Sequence, residues 1–248
     1  MSEPAAERSE RPSALTDSAA GRLLGVLVAP AKTFESIARR PTWALALALH
    51  VVLGVAVAFV AIQHTDLGAA VRERLEKSGT TLSPEQMEQQ VAVTEKFSKV
   101  LVPVSALIIV PVVSLLIALV FWLLLKAVGG ELRYPVSLSV TLHGMMPQVI
   151  AALLALPLMA MHGLYSQDEL KRGVVASSPA FLAPEGASPA LVALLTSLDL
   201  FSLWSLALLV IGYRRTARTS TAATAGVAIG AWLLYVLGKI GIAAAFGR

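Results

Sequence analysis

Long apolar runs alternate with short polar ones along this chain, on a scale that surface helices of a soluble protein do not use. Five runs, at about 42–62, 100–125, 136–161, 189–213 and 222–246, are each long enough to cross roughly 30 Å of hydrocarbon as an α-helix. The pattern predicts an all-α membrane protein with five transmembrane helices. Residues 1–20 precede the first run, mix Glu and Arg, and lack the apolar core of a signal peptide. They read as a disordered cytoplasmic tail, and residues 21–248 as one membrane domain.

Between the tail and the first span lies GRLLGVLVAPAKTFESIARRPTW, residues 21–43. Leu23, Leu24, Leu27 and Val28 cluster at helical spacing, and Phe34 with Ile37 continues an apolar face beyond Pro30. Arg22, Lys32, Arg39 and Arg40 flank that face. The segment reads as an N-terminal amphipathic helix, broken at Pro30 and lying in the membrane interface, with Arg22, Lys32, Phe34, Arg39 and Arg40 as its anchors. A plain basic flank of the first span is the simpler alternative, but it would leave Phe34 and Ile37 exposed.

Local signals refine the boundaries. Ser83-Pro84-Glu85-Gln86 has the form of a capping box with proline at the first helical position, so a helix should start there and run on into the second span. Pro103 and Pro111 predict kinks in that span, and Pro147 and Pro157 in the third. Gly129-Gly130 marks a tight turn, residues 162–188 read as an irregular loop, and Ser188-Pro189 caps the fourth span.

Composition agrees with the pattern. The chain has 248 residues, 56% hydrophobic and 15% charged, too few charges to cover a soluble domain of that length. The net charge of +4 does not imply nucleic acid, because the cations are scattered between apolar spans, where positive loops facing anionic lipid explain them. Cysteine is absent, which excludes disulfides, thiol nucleophiles and thiolate metal sites. Arg22, Lys32, Arg39 and Arg40, then Lys126 and Arg133, then Arg214, Arg215 and Arg218 crowd the segments at one end of the spans. The segments at the other end are longer, and the first carries six carboxylates. This density predicts a cytoplasmic N-terminus and an external C-terminus, in the cytoplasmic (inner) membrane of a bacterium.

Candidate chemistry is confined to a few residues inside the spans. Asp199 lies in the fourth, with Thr196 and Ser202 three residues to either side. At 1.5 Å per residue it sits roughly 14 Å below the outer end of its span, and Lys239 roughly 10 Å below the same surface on the fifth. An Asp199–Lys239 pair is therefore open, against snorkelling of Lys239 to the interface. Gly226, Gly230 and Gly241 form a small-residue face on the fifth span, suited to close helix packing within the monomer or between copies. Lys239 points almost opposite to Gly230, so the glycine packing and the ion pair compete. His50 and His143 share the inner half of the membrane, as a proton relay or as satisfied core histidines. No metal site, cofactor or catalytic residue is expected: zinc-hydrolase, nucleophile-elbow, Walker and dinucleotide patterns are all absent.

APAKTFESIARRPTW before the first span, GGELRYPVSLSVTLHGMMPQVIAALLALP at the third, and SLDLFSLWSLALLVIGYRRTARTSTAATAGVAIGAWLL near the end together resemble bacterial members of the Yip-type domain family of five-span, Ypt/Rab-interacting proteins. The resemblance covers about residues 22–246 and is strongest at Asp199-Leu-Phe-x-x-Trp204 with Gly212 behind it. It implies a five-helix bundle and a role in membrane organisation, without agreed catalytic residues. The N-terminal region through which eukaryotic relatives meet GTPases is here a short polar tail. The expectation is a non-enzymatic scaffold whose partners are membrane lipids, with another membrane protein or a second copy of itself. Asp199 holds the fourth span to a neighbour and Trp204 fills that interface. The alternative is an ion-, proton- or small-solute-conducting protein using Asp199 with His50 or His143.

Overall fold

A computed structural model describes residues 18–246. The expected tail falls mostly on residues outside that range. Among the described residues the regular structure is helical, apart from one isolated bridge between Thr65 and Tyr165. Two short helices, α1 (Ala19–Val28) and α2 (Pro30–Arg39), come first. They are followed by α3 (Ala44–Gln63), α4 (Leu67–Lys77) and α5 (Pro84–Ala127). Next come α6 (Tyr134–Gly144), α7 (Met146–Met161), α8 (Gln167–Arg172) and a 3-10 turn at Pro179–Leu182. The chain closes with α9 (Pro189–Ser197), α10 (Leu200–Thr216) and α11 (Thr221–Phe246).

Four helical segments are long and apolar enough to cross a membrane: α3, α5, α6–α7 and α11. The pair α9–α10 passes the same test as one span bent by 49°, which brings the total to five. α3 leads away from the end of the bundle that holds α1 and α2, called here the N-face. α4, α8 and the 3-10 turn cap the opposite, far face.

α5 begins where the capping box predicts. Ser83 Oγ accepts from the Gln86 amide at 3.3 Å, and Gln86 Oε1 accepts from the Ser83 amide at 3.0 Å. The helix then runs 44 residues without interruption, through both Pro103 and Pro111. At 1.5 Å per residue that is about 66 Å, twice the thickness of a hydrocarbon core. Its polar first turns therefore continue past the far face, where they pack on α4.

Span three breaks earlier than expected, at Met145 between α6 and α7. Pro147 explains the place: it offers no N–H, and its ring crowds the carbonyl four residues before it, that of His143. Pro157 sits inside α7 without ending it. Loop 162–188, expected to be irregular, contains α8, started by a second capping box between Ser166 and Glu169. Span four departs furthest. It is not one helix but two, and Asp199 stands at the break.

The interfacial anchors also need correction. α2 lies against α6 and α10, and α1 touches α6 and α7. Phe34, Ile37 and Val26 are fully buried in the main core cluster with Phe121, Val140, Leu209 and Tyr213. Arg22 is buried too, its guanidinium donating to Arg40 O at 2.7 Å and Thr42 Oγ1 at 3.0 Å. Lys32, Arg39 and Arg40 remain exposed, as anchors require. The amphipathic face is real, but protein covers its Phe34 and Ile37 part, while Leu24 and Val28 of α1 remain exposed. Outside this core the spans show apolar residues such as Leu107, Ile108, Leu116 and Leu123 of α5, the surface a helix presents when its solvent is hydrocarbon.

Candidate functional site

The polar groups inside the spans gather at two levels. The upper level, near the far face, is built around Asp199. Its backbone is extended (φ −67°, ψ 137°), and one carboxylate oxygen accepts from the Ser202 amide at 2.8 Å and Ser202 Oγ at 2.9 Å. This is an N-cap: the first amides of α10 have no carbonyl to bond, and an aspartate side chain supplies the acceptor. The other oxygen accepts a hydrogen bond from Ser177 Oγ, and Ser177 O accepts from the Leu200 amide at 3.0 Å. The far-face loop thus dips to the break and seals it.

Asp199 makes no ion pair with Lys239. The Lys239 ammonium instead donates to Thr196 Oγ1 at 2.8 Å and to Ser197 Oγ at 3.5 Å, on the last turn of α9. Of the expected cluster, Thr196 therefore partners Lys239 and Ser202 partners Asp199. Gln148 joins from α7, donating to Ser202 Oγ at 3.3 Å. Trp204 is half-buried and packs against the main core.

Neither side of the expected competition forms: the Asp199–Lys239 pair is absent, and the glycine face is unpacked within the monomer. A Cβ added at Gly226, Gly230 or Gly241 meets nothing within 4 Å. Packing within the monomer uses other faces of α11, among them the one that carries Lys239 to α9. Close helix approach occurs instead at Gly212 of α10, where a Cβ would lie 2.8 Å from both Phe34 Cε1 and Val140 Cγ1.

The lower level lies toward the N-face. His50 Nδ1 contacts Ala46 O at 2.8 Å, and its Nε2 lies 3.4 Å from Met145 O, at the break in span three. His143 is buried, with Nδ1 2.8 Å from Ser139 O and Nε2 without a hydrogen-bond partner. Neither histidine bonds Asp199, and no group of three or more metal-ligating side chains occurs among the described residues. The strongest feature of this level was not singled out from the sequence. Tyr213 is fully buried and stacks on Phe121 with ring centroids 4.9 Å apart. Its hydroxyl lies 2.8 Å from Ser137 Oγ and 2.8 Å from Thr141 Oγ1, and donates to Ser137 O at 3.2 Å. Ser137 in turn donates to Ala118 O at 2.7 Å, so one network ties α5, α6 and α10. The sequence signal was Ser137 and Thr141, four apart on one face of an apolar span.

At the rim of the N-face, Arg215 pairs with Glu35 at 2.7 Å and Arg218 with Glu131 at 3.4 Å, on exposed side chains. Such pairs add little stability each, but they hold α2 and the turn before α6 in register with the end of α10. At the far face, the Ser166 amide and hydroxyl both donate to Glu169, which holds that carboxyl below the ordinary carboxylate range.

Comparison with known proteins agrees with this architecture. The family model described as the Yip1 domain matches residues 24–242. "Membrane protein YknW" of Bacillus subtilis (strain 168) is 31% identical over 203 residues, which cover 78% of each chain. No solved structure matches. The extent of these matches leads to one assignment: this chain belongs to the Yip1 domain family of membrane proteins.

Proposed function

We propose that this protein is a non-enzymatic membrane scaffold, a bundle that organises lipid, another membrane protein or further copies of itself rather than moving a solute. The observation that carries the reading is the state of Asp199. Both of its oxygens are engaged, one on the first turn of α10 and one on a loop hydroxyl, so no carboxylate is held open for a passing ion. His143 bonds a carbonyl of its own helix, Ser139 O, and His50 bonds Ala46 O on its own helix and Met145 O at the break in span three. A relay would need them to share a wet path with Asp199. The broad apolar face of α5 supplies contact area for lipid or for a partner helix. The setting that fits is a bacterial cytoplasmic membrane with the N-face cytoplasmic, since Lys32, Arg39, Arg40, Lys126, Arg133, Arg214, Arg215 and Arg218 all fall at that end.

The test uses the absence of cysteine. Single cysteines placed at Leu116 or Leu123 on the outer face of α5 are expected to crosslink in native membranes to one discrete adduct. Proteoliposomes carrying a pH-sensitive dye are expected to leak protons no faster than empty vesicles. Proton or ion flux above that background, abolished by Asp199→Asn, would replace the scaffold with a conducting protein.

A further inference from the structure

A cleft of about 870 Å3 opens at the far face, between α9 and α11 and beneath α4 and α8. Its volume lies in the range of small-molecule sites, roughly 300–1,000 Å3. The walls are apolar, with Val192 and Ala193 on α9 and Ile242 and Ala243 on α11. Tyr235 and Ile242 are 64% and 65% exposed and belong also to the outer surface of α11, so the wall is continuous with the lipid-facing side of the bundle.

The charge in the cleft is one-sided. Four cationic side chains and two carboxylates line it. The two carboxylates are already paired within their own helices, Glu73 with Lys77 at 2.8 Å and Asp168 with Lys171 at 3.0 Å. Arg172 and Lys239 are the surplus. Arg172 donates to the carbonyls of Ala183 and Pro184, and Lys239 to the Thr196 and Ser197 hydroxyls. Every acceptor named for these two cations is neutral. The Lys239 ammonium is bonded only by hydroxyls in an apolar wall; Asp199 acts on it through space without an ion pair, so its desolvation is only partly offset. A ligand that fits must be anionic at one end and apolar at the other.

We propose that this cleft binds an anionic phospholipid, its phosphate drawn to Lys239 with Arg172 at the mouth, and its acyl chains running down the seam between α9 and α11. The proposal does not depend on the scaffold reading, because such a site could serve a membrane protein of any role. A free phosphate shares the anionic chemistry but would leave the apolar walls unused.

The test is native mass spectrometry of the full-length protein in mild detergent, titrated with phosphatidylglycerol or phosphatidylcholine. Phosphatidylglycerol should bind at least about tenfold more tightly than phosphatidylcholine, a difference of about 1.4 kcal/mol. Lys239→Met should erase that preference, Lys239→Arg should keep it, and Lys126→Met, at the N-face, should leave it unchanged. Lys239→Met orphans no polar group, since Thr196 and Ser197 keep their hydroxyl bonds to Val192 O and Ala193 O. If it nevertheless loses its monodisperse elution peak, Lys239→Gln carries the same comparison. Equal binding of the two lipids, unchanged preference in folded Lys239→Met, or displacement of the lipid by millimolar inorganic phosphate would each overturn the proposal.

Discussion

Replacing Asp199 separates a cap from a charge. Asp199→Ala removes the acceptor from the first turn of α10, where loss of an aspartate N-cap costs about 0.5–2 kcal/mol. It also releases Ser177, a hydrogen bond that contributes on the order of 1 kcal/mol. Together the loss is about 1.5–3 kcal/mol, and at about 2–4 °C per kcal/mol for a chain of this size it lowers the melting temperature by roughly 3–12 °C. Asp199→Asn behaves differently. Asparagine caps about as well as aspartate, and Ser177 Oγ can turn from donor to acceptor for the new amide. The expected change is within about 0.5 kcal/mol. Both variants are measured by thermal unfolding in detergent, with hydrogen exchange over Leu200–Leu203 as the local readout. Should Asn fall as far as Ala, the negative charge rather than the cap would be what the break needs. An unchanged Ala variant would mean that the cap does not hold the bend.

Gly212→Ala sets an overpacking cost of about 1–3 kcal/mol, from a Cβ 2.8 Å from Phe34 and Val140, against a helix-propensity gain of at most about 1 kcal/mol. Thermal unfolding should show net loss there, and no loss for Gly226→Ala and Gly230→Ala; destabilisation by the latter two would reveal a partner helix on that face. Tyr213→Phe deletes a buried hydroxyl shared by Ser137 and Thr141, and should cost about 1–3 kcal/mol in the same assay. His143→Leu removes Nε2, which has no partner, together with the Nδ1 contact to Ser139 O. These effects oppose each other, so stability should hold within about 1 kcal/mol, and a larger drop would show that a water or ligand satisfies Nε2.

Hydropathy located the spans because the membrane imposes a length on every helix that crosses it, and the capping box at Ser83 could be read because its bonds are local. The break at Asp199 hid inside a continuous apolar run, since averaging over a span conceals a single non-helical residue. The spacing of Asp199 and Ser202 suits an N-cap as well as a polar stripe, and what distinguishes them, Ser177, arrives from a distant loop. The burial of Arg22 and Phe34 was illegible for a related reason. An amphipathic face states that something apolar covers it, and headgroup-level lipid and the α6–α10 groove satisfy that equally. The GxxxG spacing likewise records permission for close approach, not its use. Gly212, flanked by large residues, shows no such spacing and is where the helices meet.

The uninterrupted course of α5 gives the bundle a lever. About 16 residues of the helix lie before the apolar part, an arm of roughly 24 Å built as one piece with a membrane span. A bilayer thinner than the apolar length tilts such a span. A tilt of about 10° would swing the arm's tip by about 4 Å, given that length. α4 is packed on the arm and contributes Glu73 and Lys77 to the far-face cleft. Membrane thickness would thereby be transmitted as a displacement at the mouth of that cleft, with Pro103 and Pro111 as the points inside the helix where it could be absorbed.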